Sequence, residues 1–216
     1  MKTLKILPAF LFSLLMFAGS LNVAYAQTAK HAPTMLTKAE RKQLTDYLKS
    51  SRDLVLTSVK GLSEEQMNFK AAPEKWSVRE VVQHLALAEN FLFDMIQNQV
   101  MKSPEITAEK RAEVAGAETK IMQLVPDRSK KVSAPEPIVP SDSRVPGDAV
   151  ATFKTRRNNT IKFIKDTKED LRGHFLEGPG LGAADGWQWF FLIAAHSVRH
   201  DKQIEEVKAN PNFPKK

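Results

Sequence analysis

Trp187-Gln188-Trp189-Phe190-Phe191-Leu192-Ile193-Ala194-Ala195-His196-Ser197-Val198-Arg199-His200-Asp201-Lys202-Gln203-Ile204 is the stretch that decides the fold. Wound as a helix, its first two turns are apolar on almost every face, and such a helix belongs inside a bundle. His196 and His200 follow four residues apart, so both imidazoles project from one helical face. Two imidazoles aimed into a dry core begin a metal site. On spacing alone, the alternative is a pair of core histidines satisfied by neighbouring carbonyls. What the rest of the chain offers as a third ligand separates the two.

Just upstream, Leu176 to Gly186 carries Gly178, Gly180, Gly182 and Gly186 around Pro179. With no strand pattern before it and no lysine after it, this reads as turn chemistry at a helix–helix corner, not as a phosphate loop. Asp185 is placed to cap the last helix, which should end near Asn210-Pro211. A third helix is expected from about Ala149 to Leu171, with Val150, Phe153, Ile161, Ile164 and Leu171 as its apolar stripe and Gly173 after its end. Its cations Lys154, Arg156, Arg157, Lys162 and Lys165 form the densest basic run. Lacking interleaved aromatics, they read as a solvated helix face and not as a nucleic-acid surface.

Further upstream the helix starts are explicit. Ser77 and Glu80 form a capping box for a second helix from Val78 to about Met101, and Trp76 before the cap can staple onto Val81. Val78, Val81, Val82, Leu85, Leu92, Met95 and Ile96 face inward, and His84 lies beside that stripe. Thr37 and Glu40 make another capping box for a first helix that Gly61 closes. Between helices two and three, residues 102–148 form a long crossover with room for a short helix over Thr107 to Leu124 and a proline-rich extended part. A connection this long returns the chain to its starting end, so helices two and three should run parallel. No internal repeat and no strand alternation emerges. The expectation is an all-α fold, a four-helix bundle over residues 37–214.

Met1 to Ala26 reads as a signal peptide: Lys2 and Lys5 precede an apolar run, and Ala24-Tyr25-Ala26 is a cleavage signature. A short leader, residues 27–36, would follow. The reading implies a periplasmic or secreted protein with no stable membrane insertion after cleavage. The 216 residues contain no cysteine, which removes thiolate ligands, cysteine nucleophiles and disulfides together. The formal net charge of +7 includes Lys2 and Lys5, so the remaining basic excess is mild and does not indicate a nucleic-acid partner.

Of the five histidines, His31 falls in the leader and His174 in the corner after helix three. His84, His196 and His200 lie on core-forming helices. One ligand from helix two with the H-x-x-x-H pair of helix four gives three nitrogens on one metal, the number that leaves a coordination position open. No glutamate follows His196, so the general base of an HExxH protease is missing. Glu80, one turn before His84, could serve as base, but its capping-box role explains it more simply. Arg199 should find a carboxylate such as Asp170 or Glu205, or reach the surface. Gln203 could orient a histidine.

Pro73-Glu74-Lys75-Trp76-Ser77-Val78-Arg79-Glu80-Val81-Val82-Gln83-His84-Leu85 resembles the helix-two signature of the DinB/YfiT-like family. Gln188-Trp189 through His196, Arg199-His200 and Gln203-Ile204 resembles its last helix. Asp127-Arg128, the proline-rich stretch, and Phe153 with Arg157 resemble its crossover and third helix. Many relatives have Arg-Gly-Gln after the last histidine where this chain has Asp201-Lys202-Gln203. The resemblance implies an up-down-down-up bundle binding a divalent metal through His84, His196 and His200. Zinc, nickel, iron and manganese are all compatible with imidazole ligands, zinc or nickel being favoured slightly. It further implies a metal-dependent hydrolase or a thiol or small-molecule transferase, and a homodimer is common in the family. The alternative is a non-catalytic metal- or small-ligand-binding helical protein.

Overall fold

The computed structural model describes residues 35–178 and 180–215. The expected signal peptide lies outside the described residues, as does the expected leader up to residue 34. Helix α1 spans Lys38–Val59. Thr37 starts it: its hydroxyl accepts from Glu40 N–H at 3.2 Å, and the Glu40 carboxylate accepts from Thr37 N–H at 2.9 Å. Gly61, at φ 71°, reverses the chain into a short helix α2, Glu64–Asn68, with a capping box between Ser63 and Gln66. Its S-x-x-Q signature is the same local start signal as those of the longer helices.

Helix α3 covers Val78–Asn98 behind the Ser77–Glu80 capping box, and a 3-10 turn at Val100–Lys102 finishes it. The crossover then holds α4, Ala108–Glu113, and α5, Ala117–Leu124, followed by a 3-10 turn at Glu136–Ile138. Asp148 caps α6, Ala149–Asp166, by accepting from Val150 N–H and Ala151 N–H. That helix stops short of the expected Leu171. Thr167 leaves helical geometry and turns its hydroxyl back to Glu169 N–H, while Leu171 is still buried from the following turn.

The glycine-rich corner is a correction. Residues Phe175–Gly178 (β1) and Gly182–Asp185 (β2) pair antiparallel, with Phe175 opposite Asp185 and Gly178 opposite Gly182. Two strands of only four residues, the second with three glycine or alanine positions, show no alternation to read. Gly180 and Gly182, at φ 76° and 80°, reverse the chain between them. Helix α7, Gly186–Lys208, follows directly, with Asp185 capping it as expected.

Partner contacts fix the direction of each long helix. Trp187 Nε1 donates to Glu40 O at the start of α1, and Ser58 Oγ donates to Asp201 Oδ1 near its end, so α1 and α7 are parallel. Arg156 donates to Ala86 O, and Phe93 meets Phe163 edge-on, so α3 and α6 are parallel. Arg41 reaches Ile164 O while Ser51 meets Arg157, making α1 and α6 antiparallel. The bundle is up-down-down-up, with α1 against α6 and α7, and α3 against the same two.

Two apolar clusters fill it. One gathers Leu44, Leu48, Ile96, Ile164, Phe190 and Phe191. The other gathers Val55, Val78, Val81, Leu85, Phe153 and Ile204. Between them lies a polar layer centred on Arg157, which is 0% exposed and so departs from the solvated basic face expected for its run. Its guanidinium donates to Glu89, to the hydroxyls of Ser51 and Ser197 at 2.7 Å each, and to the carbonyls of Leu48 and Ile193. One side chain thus touches the other three long helices.

Candidate metal centre

His84 enters the α3–α7 face from α3, and His196 and His200 enter it from α7. Their Nε2 atoms form a nearly equilateral triangle: 3.2 Å from His84 to His196, 3.1 Å from His84 to His200, and 3.1 Å from His200 to His196. Among the described residues they are the group of side chains placed to hold a metal ion. Three imidazoles on one metal at 2.0–2.1 Å have nitrogens roughly 3.3–3.4 Å apart on a tetrahedral face and about 3.0 Å apart on an octahedral one. The observed triangle falls between these.

The outer ring nitrogens determine what faces the centre. His84 Nδ1 lies 2.7 Å from Ile138 O, in the 3-10 turn of the crossover. A carbonyl only accepts, so Nδ1 carries the proton and Nε2 presents a lone pair. His200 Nδ1 lies 2.9 Å from Gln203 Oε1. That oxygen also receives Arg128 Nη1 at 3.3 Å, and two donors converging on it assign the amide end. The Nε2 atoms of His84 and His200 therefore approach each other with no proton between them. Such a pair is repulsive unless a Lewis acid takes both lone pairs, and the donor set fits a borderline divalent ion.

Burial keeps these rings neutral. It pushes His84 down against the opposing effect of the Ile138 carbonyl. It pushes His200 down to about 3, with the His84 ring adding to the effect and Gln203 opposing it. Burial, then His200 and His84, hold His196 well below the ordinary histidine range. Neutral imidazole is the form that ligates. His84 and His200 are buried, whereas His196 keeps a partly exposed edge. The Trp76 ring covers the opposite flank, its centroid 4.9 Å from His84 and 6.3 Å from His200.

The remaining expected participants are placed as follows. Glu80 serves the capping box and pairs with Lys70 at 2.7 Å, away from the imidazoles' donor atoms. Gln203 orients a histidine, His200, as its position suggested. Arg199 does not find Asp170 or Glu205; it donates to the carbonyls of Val125, Asp127 and Lys130, strapping the crossover to α7. His174 binds Ser103 O through Nδ1 at 2.7 Å and is not part of the three-histidine group. His31 lies outside the described residues. Ile138 O was not foreseen. A backbone acceptor in an irregular crossover leaves no residue-type signal.

An up-down-down-up bundle with one histidine on α3 and an H-x-x-x-H pair on α7 is a three-histidine helical protein. The profile of the DinB superfamily matches residues 47–204, and the chain belongs to that superfamily. The match contains all three histidines. Over 151 residues the chain is 28% identical to the uncharacterized protein YuaE of Bacillus subtilis (strain 168), a span covering 69% of this chain and 88% of YuaE. YfiT from Bacillus subtilis, described as "a probable metal-dependent hydrolase with an unusual four-helix bundle topology", has a solved structure. It aligns with a TM-score of 0.48 and 14% identity, over 86% of this chain and 95% of that one.

Proposed function

We propose that this protein binds one divalent metal through His84, His196 and His200 and uses it to hydrolyse a small molecule or to transfer a thiol or other small group to one. The observation that carries the reading is the convergence of three Nε2 atoms within 3.2 Å, two of them tautomerically fixed as lone pairs. A divalent ion held there supplies Lewis acidity toward water or a thiol. Ile138 O and Gln203 hold two of the ligand rings in the ligating tautomer. Trp76 keeps water from one flank, and the partly exposed edge of His196 is the side from which a small molecule would arrive. Zinc and nickel suit three imidazoles best. The N-terminal signature supports a periplasmic or secreted location, and a homodimer is part of the same reading.

The test is elemental analysis of protein purified without a histidine tag, beside His84→Ala and His200→Ala. Near-stoichiometric metal in the parent and its loss in both variants is the expected result. Equal trace metal in all three would sink the reading. Loaded protein is then assayed against ester, amide, phosphoester and thiol-transfer substrates. Metal binding with no turnover on any class would leave a metal- or ligand-sequestering protein in place of an enzyme.

A further inference from the structure

Gln203 Oε1 receives donors from two distant parts of the chain. His200 Nδ1 comes from its own helix at 2.9 Å, and Arg128 Nη1 comes from the crossover at 3.3 Å. Arg128 is itself aimed by Glu206: Nε and Nη2 each lie 2.6 Å from a different carboxylate oxygen. This two-pronged pairing fixes the guanidinium plane and directs its remaining edge at Gln203.

An amide can turn either end toward a neighbour. With its NH2 group toward His200, Gln203 would favour the tautomer whose proton sits on Nε2, inside the triangle, where it blocks ligation. A guanidinium only donates, so Arg128 disfavours that orientation. The crossover does not depend on Arg128 for attachment, because Arg199 separately binds three of its carbonyls and Lys202 binds Pro126 O.

We propose that Arg128 is a positioning residue for the three-histidine site, selecting the amide end of Gln203 and, through it, the His200 tautomer that leaves Nε2 free to ligate. The metal-affinity consequence rests on the metal-binding reading above, whereas the tautomer is a property of the chain alone. The crossover thereby contributes to the site by setting a proton as well as by covering it.

The experiment compares the full chain with Arg128→Met and Arg199→Met, the second loosening the same loop without touching Gln203. Ring 15N spectra of metal-free protein should show His200 protonated at Nδ1 in the parent and in Arg199→Met, and a tautomer mixture in Arg128→Met. Zinc titration should show about a tenfold loss of affinity for Arg128→Met and a far smaller loss for Arg199→Met. In a Gln203→Glu background both terminal oxygens accept, so no end needs selecting and Arg128→Met should cost little. An unchanged His200 tautomer in Arg128→Met overturns the proposal. So do equal affinity losses for the two arginine variants, or an undiminished loss in the Gln203→Glu background. Failure of the parent to take up zinc would refute the metal reading, and the ring spectra would still decide the role of Arg128.

Discussion

Arg157 Nε donates to Glu89 Oε1 at 2.8 Å, and the two side chains are 0% and 2% exposed. The pair sits between the two apolar clusters, where its removal from water has to be offset by the hydrogen bonds around it. Thr160 Oγ1 donates to the second Glu89 oxygen at 3.1 Å, and the hydroxyls and carbonyls of α1 and α7 take the other guanidinium donors.

Removing one partner of that pair should therefore be severe. Glu89→Leu leaves a buried cation, and Arg157→Met leaves a buried carboxylate; each should cost about 3–5 kcal/mol in urea unfolding. The double replacement should recover most of the loss, because no unpaired charge remains. Additive losses in the double-mutant cycle would show that the two residues are not coupled as the geometry requires.

The same pair marks the limit of what the sequence discloses. Phe153, Ile161 and Ile164 on α6, and Leu85, Leu92 and Ile96 on α3, are readable as apolar stripes. Arg157 and Glu89 sit in the gaps of those stripes, at helical spacing from their neighbours. A charge in each of two stripes is the signal of a buried pair, but one chain's periodicity says only that each is out of place. Which charge meets which is decided by helix register. The capping boxes at Thr37 and Ser77, the Asp185 cap, and the direction of the crossover were legible because they are local chemistry or chain length. The triad was legible because three of the five histidines fall on core-forming helices, two of them one turn apart, within motifs that resemble the DinB/YfiT-like family. The β1–β2 hairpin was not, since its glycines carry no pattern, and the Ile138 carbonyl that fixes His84 has no residue identity to read.

Trp76 should report on the metal. Its ring lies 4.9 Å from the His84 ring, while Trp189 stands seven residues before His196, about 10 Å away along the helix. Nickel or cobalt bound at the triad should quench part of the tryptophan emission. Trp76→Phe should abolish that change and Trp189→Phe should keep it. Quenching that survives Trp76→Phe would place the bound ion elsewhere.

Gly178 is required by its contact with Trp189. A methyl group there would stand 2.6 Å from Trp189 Cη2, a rigid ring held in the core. Gly178→Ala should destabilise by about 1–3 kcal/mol through overpacking at the hairpin. At Gly180 the added carbon meets nothing within 4 Å, although φ is +76°, so Gly180→Ala should cost about 1 kcal/mol from backbone conformation alone. Thermal unfolding of both variants separates the two causes, and equal losses would argue against the steric one.

Asp185 should give stability a pH dependence of unusual sign. Its carboxylate caps α7 by accepting from Gln188 N–H at 2.9 Å and pairs with Arg172 Nε at 2.6 Å, yet it is fully buried. Burial outweighs Arg172 and the capping bond and pushes its pKa up to about 6 from 3.8. The folded state thus holds a proton that the unfolded chain releases earlier as pH rises. Stability from this group is fully present below about pH 4 and is lost as pH climbs through about 6, by an amount on the order of 2–3 kcal/mol. Asp185→Asn retains a capping oxygen and cannot titrate. Urea unfolding free energies of the parent, taken relative to Asp185→Asn, should therefore fall between pH 4 and pH 6.5 and be level above it. A difference that rises over that window would mean the Arg172 pair, not burial, governs this carboxylate.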